Sequence, residues 1–232
     1  TATFSETTRQ YEVTITAATN GSIKVMNGST EVHTGDKVDY NTVLAVTATA
    51  ADHYHFAAWT NDGAASVTIT GDKTIGATFA IDQFTLTMDA CTGGTYSVTY
   101  GGETKYTGAV EQTFTIDYNT FVTLSAEPAT GYEFKGWRQI VDDSGNVDAA
   151  PRRAAMDNGA TLDGGIDDEE TLIKSKDLQF NIQANAEYQA VFQKQRFTLT
   201  VNIEGDGTVE ARKAGILIEP VITVDYNTAI TL

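Results

Sequence analysis

Asp39-Tyr40-Asn41-Thr42 returns as Asp117-Tyr118-Asn119-Thr120 and again as Asp225-Tyr226-Asn227-Thr228, each time directly after a Val or Ile. The residues behind the first two copies keep step. Counted from each Asp, Tyr54 and Tyr132 lie 15 residues on, Phe56 and Phe134 lie 17 on, and Trp59 and Trp137 lie 20 on. In front of each copy stands an aromatic-led alternating run: Tyr11-Glu12-Val13-Thr14-Ile15, Phe84-Thr85-Leu86-Thr87-Met88 and Phe197-Thr198-Leu199-Thr200-Val201. Gly turns follow these runs at Asn20-Gly21, Gly93-Gly94 and Gly205-Asp206-Gly207. Self-similarity at a fixed scale marks a repeat architecture and overrides a whole-chain domain guess.

The gaps locate two insertions. Tyr11 and Phe84 are 73 residues apart, whereas Phe84 and Phe197 are 113 apart. Five of the 40 extra residues fall before the second Asp-Tyr-Asn-Thr and 35 fall after Trp137. Ala2-Thr3-Phe4 also repeats Ala77-Thr78-Phe79, the closing run of the first unit. The expected division is the end of a preceding repeat at 1–10 and a complete module at 11–82. A second complete module follows at 83–194, with an acidic insertion at about 141–178, and a truncated half-module occupies 195–232. The half-module lacks the Trp-bearing run, so it is expected to be mobile, or to pack on the second module or on another copy of the chain.

The pattern inside a module predicts a mostly β fold, with tandem small β-grasp-like modules and little helix. Tyr11, Val13 and Ile15 share one face and Thr14 and Thr16 the other, the period of a half-buried strand. Asn20-Gly21 supplies the positive φ of a tight hairpin into a strand near Ser22–Met26. Asp-Tyr-Asn-Thr reads as a turn whose Tyr plugs the core, followed by a strand over Val43–Thr49. Tyr54 and Phe56 point one way and Trp59 falls on the opposite parity. A bulge at Gly136, beside Trp137, is expected to return the Trp to the core. Gly71-Asp72-Lys73 reads as a hairpin between Val67–Ile69 and Ile75–Phe79, and Ile166–Lys176 as a short helix led by acids and trailed by Lys. The expected core is Tyr11, Val13, Ile15, Tyr40, Leu44, Phe56, Trp59, Ile69 and Phe79, with their counterparts in the second unit.

Composition narrows the function classes. Hydrophobic residues make up 41% and charged residues 20% of 232, enough for ordinary cores. The net charge of −16 repels phosphate backbones and anionic lipid, so nucleic acid is a poor partner. No apolar run reaches the roughly 18 residues of a membrane span. The single Cys91 excludes an internal disulfide and a cysteine zinc cluster. It reads as a small strand or turn residue rather than a reactive thiol.

The aromatic-led run, the Asp-Tyr-Asn-Thr turn, the run ending Ala126-Glu127-Pro128, the segment Gly131-Tyr132-Glu133-Phe134-Lys135-Gly136-Trp137 and the closing Ala190-Val191-Phe192 together resemble the divergent internalin-type B-repeat family, related to the Listeria–Bacteroides repeats. The first unit departs from the most specific segment, with His53 and Ala58 in place of the two glycines. The resemblance implies compact β-grasp-like modules, often in tandem, on secreted or surface-anchored bacterial proteins, and it implies no active site.

Candidate chemistry is sparse. His53 and His55 form a His-x-His that reads as two ordinary surface histidines rather than metal ligands, with His33 far off in sequence. Asp142-Asp143-Ser144-Gly145-Asn146-Val147-Asp148 is rich in oxygen ligands but lacks the spacing and distal Glu of an EF-hand loop. The segment 141–178 holds ten acidic and four basic residues and reads either as a recognition loop or as a tolerated insertion. Arg152-Arg153 reads as an offset to local acidity rather than as a protease-sensitive site. Asn20-Gly21-Ser22 and Asn27-Gly28-Ser29 fit the glycosylation acceptor pattern yet read as plain turns. No catalytic, cofactor-binding or metal residue is assigned and no cofactor is expected.

The sequence therefore points to a non-enzymatic stalk or adhesin segment of a large bacterial cell-surface or secreted protein, located outside the cell. Its expected partners are neighbouring repeats and an unidentified extracellular protein or glycan. The other readings are a carbohydrate- or protein-binding module using the insertion of the second unit, or an accessory region of a secreted enzyme.

Overall fold

The computed structural model describes residues 8–140, 172–202, 210–217 and 221–231. Among these residues every regular element is a strand and none is a helix. The chain divides into a unit ending at Gln83 and a second beginning at Phe84.

The first unit runs β1 (Gln10–Ile15), β2 (Gly21–Asn27), β3 (Thr30–Val32), β4 (Asp36–Asp39), β5 (Val43–Ala50), β6 (Tyr54–Asn61), β7 (Ser66–Thr68) and β8 (Lys73–Ile81). These strands form two four-stranded sheets, ordered β4-β1-β8-β6 and β3-β2-β5-β7. One core lies between them. Val13, Val38 and Ile75 come from the first sheet, and Val25, Val32, Leu44, Val46 and Val67 from the second, with Ile69 from the segment after β7. The inward set alternates along each strand, as the buried Leu44 and Val46 between exposed Val43, Ala45 and Thr47 show. Burying each such side chain contributes roughly 1.5–3 kcal/mol.

The second unit repeats this plan with β9 (Gln83–Met88), β10 (Gly94–Tyr100), β11 (Glu103–Gly108), β12 (Gln112–Asp117), β13 (Phe121–Pro128), β14 (Tyr132–Gln139), β15 (Asp177–Asn181) and β16 (Ala186–Lys194). Its sheets are ordered β12-β9-β16-β14 and β11-β10-β13-β15, the same permutation strand for strand. In both units the opening strand pairs in parallel with the closing one, β1 with β8 and β9 with β16. Its core is larger and adds Trp137, Tyr96 and Met88 to the aliphatic set. Beyond it, β17 (Arg196–Thr200) pairs antiparallel with β20 (Val221–Asp225), as β1 pairs with β4. The pairs β18 (Arg212–Lys213) with β19 (Ile216–Leu217) and β18 with β21 (Ile230–Thr231) likewise repeat β2 with β3 and β2 with β5.

The structure corrects several local expectations. Asn20 has the positive φ of 64° that the sequence asked for, but β1 and β2 lie in different sheets, so the turn crosses the core edge instead of closing a hairpin. Gly71-Asp72-Lys73 likewise passes from β7 in one sheet to β8 in the other. Leu172–Lys176 is extended rather than helical, with Ile173 paired to Trp137, while 166–171 lie outside the described residues. Tyr40 is 48% exposed and Phe56 40% exposed, so neither is core.

Candidate functional site

The Asp-Tyr-Asn-Thr turn has one geometry in three places. Asn41, Asn119 and Asn227 hold φ of 66°, 62° and 61°. Asn adopts this left-handed conformation more readily than other side-chain-bearing residues. Thr42, Thr120 and Thr228 each donate their N–H to the Asp carbonyl at 3.1 Å. In the two complete units the Thr carbonyl accepts from Ile69 and Ile182, and the Asn N–H donates back to the same isoleucines. The Tyr ring does not enter the core. It tilts against the first aromatic of its own module: Tyr40 on Tyr11 and Tyr118 on Phe84 at 6.2 Å, and Tyr226 on Phe197 at 6.3 Å.

The Trp-bearing strands carry the second repeated feature. The register of β6 against β8 shifts between Phe56 and Ala58, and that of β14 against β16 between Phe134 and Gly136. This is the expected bulge, and it puts Phe and Trp in contact, at 5.0 Å for Phe56–Trp59 and 5.5 Å for Phe134–Trp137. Phe79 and Phe192 complete each cluster edge-on.

Hydrogen-bond parity fixes which way the Trp backbone faces. In antiparallel pairing, residue pairs alternate between bonded and non-bonded. Ile140 donates to the Glu187 carbonyl, so Trp137 opposite Ala190 is three steps away and non-bonded, its N–H and C=O pointing out from β16. Ile173 takes both groups at 2.9 Å. In the first unit Asp62 donates to the Thr74 carbonyl, which makes Trp59 opposite Ala77 non-bonded by the same count. Its N–H and C=O point out in the same way, on the outer edge of a terminal strand.

The covering differs. Trp137 is fully buried, and its indole N–H has no acceptor among the described residues. Trp59 is only half-buried. A Cβ on Gly136 would lie 2.7 Å from the Cβ of Leu172, so this glycine makes room for the segment that covers Trp137. In the first unit Ala58 takes its place, and the chain leaves β6 through a short turn in which Gly63 donates to the Thr60 carbonyl.

The remaining sequence candidates do not assemble. His53 lies in a left-handed turn (φ 67°) ahead of β6, so it and His55 are not alternate positions on one strand. His55 Nδ1 is 3.0 Å from Asp82 Oδ1, and His33 pairs with Asp36 instead. Among the described residues no three His, Cys, Asp or Glu side chains come together to hold a metal ion. Cys91 belongs to the core of the second unit, its Sγ 3.6 Å from the Gly94 carbonyl, and burial pushes its thiol pKa up. Asn20 and Asn27 are exposed at turns. Asp142–Asp148, Arg152-Arg153 and the insertion up to 171 lie outside the described residues.

A family model described as the divergent InlB B-repeat domain matches residues 11–83 and again 84–196. The chain belongs to that family. The two B-repeats so matched are the two units whose sheets coincide strand for strand. A sequence search of curated proteins finds no match. Among solved structures the B-repeat chain is similar to the Bacillus anthracis TIE protein at 9% identity and TM-score 0.45, over 97% of this chain and 43% of that one. It therefore spans less than half the length of that protein. It is also similar to a C-terminal fragment of the pilus adhesin SpaC from Lactobacillus rhamnosus GG, at 12% identity and TM-score 0.37 over 81% and 98% of the two chains. A third likeness is to the major pilin T-13 of Streptococcus pyogenes, at 10% identity and TM-score 0.29 over 82% and 97%.

Proposed function

We propose that these B-repeats form a non-enzymatic structural and interaction segment of a bacterial cell-surface or secreted protein, holding a ligand-bearing region away from its anchor. One observation carries the reading: what the modules repeat is packing and backbone hydrogen bonding, not reactive groups. The Asn turn, the bulge, the Phe-Trp contact and the parallel closing strand all recur. Between the two complete units, the turn Asp aside, no carboxylate, imidazole or thiol recurs with them, as His55 against Glu133 and Cys91 against Ala18 illustrate. A chain whose modules fold separately around their own cores gives reach in proportion to their number. The ligand of such a segment is an extracellular protein or glycan.

The test is mechanical and topographic. Pulling the chain end to end in a single-molecule instrument should release the two complete B-repeats in separate steps. The larger step belongs to the second, with each residue contributing about 3.5 Å. Antibodies to the chain should label intact cells. Release of both in a single step, or labelling only after lysis, overturns the reading.

A further inference from the structure

Among the described residues no strand pairs with the outer edge of β6, and that edge is built like an occupied one. In the second unit the chain itself lays Ile173 against the outward N–H and C=O of Trp137. In the first unit the same two groups of Trp59 face outward from the last strand of the sheet, beside Phe56 at 40% exposure. An exposed strand edge is a template for another strand, and proteins ordinarily guard it with charge, shortness, Pro or a bulge, though the bulge of β14 does not keep Ile173 off its edge. The other edges of this unit are guarded. β4 carries Asp36, Lys37 and Asp39, β3 carries Glu31, and β7 has only three residues. β6 has eight residues and no Asp, Glu, Lys or Arg. Its counterpart β14, already covered, carries Glu133, Lys135 and Arg138. Charge thus sits on the edge that is covered and is missing from the one that is open.

The geometry points to β6 as a docking edge that takes an extended segment of a partner protein by strand addition, antiparallel and opposite Trp59. The chemistry of that segment follows from the covered copy. A β-branched residue opposite the Trp fills the place of Ile173 beside the Phe-Trp pair. The residue before it must be smaller than Leu172, because Ala58 supplies the methyl that Gly136 leaves out. Basic residues follow, as Lys174 and Lys176 do in the covering segment, and they suit a chain of net charge −16. The same net charge disfavours a second copy of this chain as the occupant. This inference goes beyond the spacer reading and does not rest on it.

The probe is the acetylated, amidated peptide of residues 171–176 with Leu172→Gly, added to the full 232-residue chain. Amide hydrogen exchange is then read by NMR at Trp59 and Trp137. We expect exchange at Trp59 to slow about tenfold with peptide while Trp137 is unchanged, since only an exchange-competent edge amide has protection to gain. The peptide N-methylated at its Ile, which cannot donate to the Trp59 carbonyl, should lose the effect. An Ala58→Gly chain should accept the unaltered Leu-Ile peptide as well. Indifference of the Trp59 amide at millimolar peptide overturns the proposal, and so does equal binding of the N-methylated peptide. Protection that grows with protein concentration and needs no peptide overturns it in favour of a second copy.

Discussion

Trp59 and Trp137 occupy one position in two modules, with the same bulge before them, the same Phe against the ring and the same outward backbone. One is half-buried and the other has no exposed surface. The difference arises not in the shared framework but in the segment between β6 and β7, or β14 and β15. In the first unit that segment is a short turn through Gly63. In the second, its returning end adds Ile173 as a fragment of a further strand. Burial of this position is therefore set by the loop, and the sheets leave it free to vary.

The sharpest way to break this comparison is to truncate both indoles. Trp137→Ala should cost about 3–5 kcal/mol in chemical unfolding, the range for a fully buried large side chain. Trp59→Ala should cost less than half of that, and equal losses would mean the covering segment contributes nothing. Trp137→Phe should lose markedly less than Trp137→Ala, because it keeps an aromatic ring in the core, while both changes remove a buried N–H that has no acceptor among the described residues.

Gly136→Ala tests the covering segment alone. Its Cβ would meet the Cβ of Leu172 at 2.7 Å, on a backbone whose φ of +149° suits glycine. A loss of about 1–3 kcal/mol is expected, typical of overpacking, together with faster amide exchange at Trp137. Unchanged exchange would show that Leu172 and Ile173 hold their place by other means.

Where the modules agree, matched substitutions should agree. Asn41→Ala and Asn119→Ala both force a residue with little left-handed tolerance into φ near 60°, at roughly 1–2 kcal/mol each. Unequal effects, read by unfolding each module separately, would show that the turn is not one structural unit copied.

The smallest expected effect is a difference in alkaline stability. Tyr96 is buried in the second core and donates its hydroxyl to the Val110 carbonyl, and burial first, then nearby acidic groups, raise its pKa. Tyr188 is raised by burial alone. A phenol whose folded pKa lies above its unfolded value near 10 stabilises fully below that pH and loses the contribution as pH rises through the folded value. The second unit should therefore weaken above pH 10, and Tyr96→Phe should flatten its profile. A profile unchanged by Tyr96→Phe would assign the effect elsewhere.

Much of the fold was legible because repetition turns weak local signals into strong ones. A bulge guessed from one glycine gains force when the next copy shows the same shift of parity. Sheet membership was not legible. Alternation in Tyr11, Val13 and Ile15 says that a face is buried, and a Gly turn says that the chain reverses. Neither says whether it returns to the same sheet or crosses to the opposite one, which is why Asn20-Gly21 and Gly71-Asp72-Lys73 carry the sequence of a hairpin without forming one. β3 and β4 were missed because three or four residues with Glu31, Asp36 and Lys37 among them show too little period. Tyr40 misled for another reason. An aromatic ring at a turn can fold down into the core or lie back on its own module's first strand, and residue type does not distinguish the two. The uncharged edge of β6 was visible in the sequence, but only the pairing of Ile173 with Trp137 shows what such an edge holds.

Gln195 is a joint with bonds on both sides. Its N–H donates to the Gly131 carbonyl, and its own carbonyl accepts from Tyr226 in the following turn. The Tyr226 ring lies so close over Gly131 that an added Cβ would collide with it. His53 holds a similar φ with a full side chain, so backbone strain alone does not demand glycine at this point. Gly131 answers to the residues that come after its own module, which makes the choice of amino acid in one copy depend on its successor. At this joint the two copies cannot diverge independently, and a module placed here should be tolerated only if it offers Tyr226 a bare α-carbon.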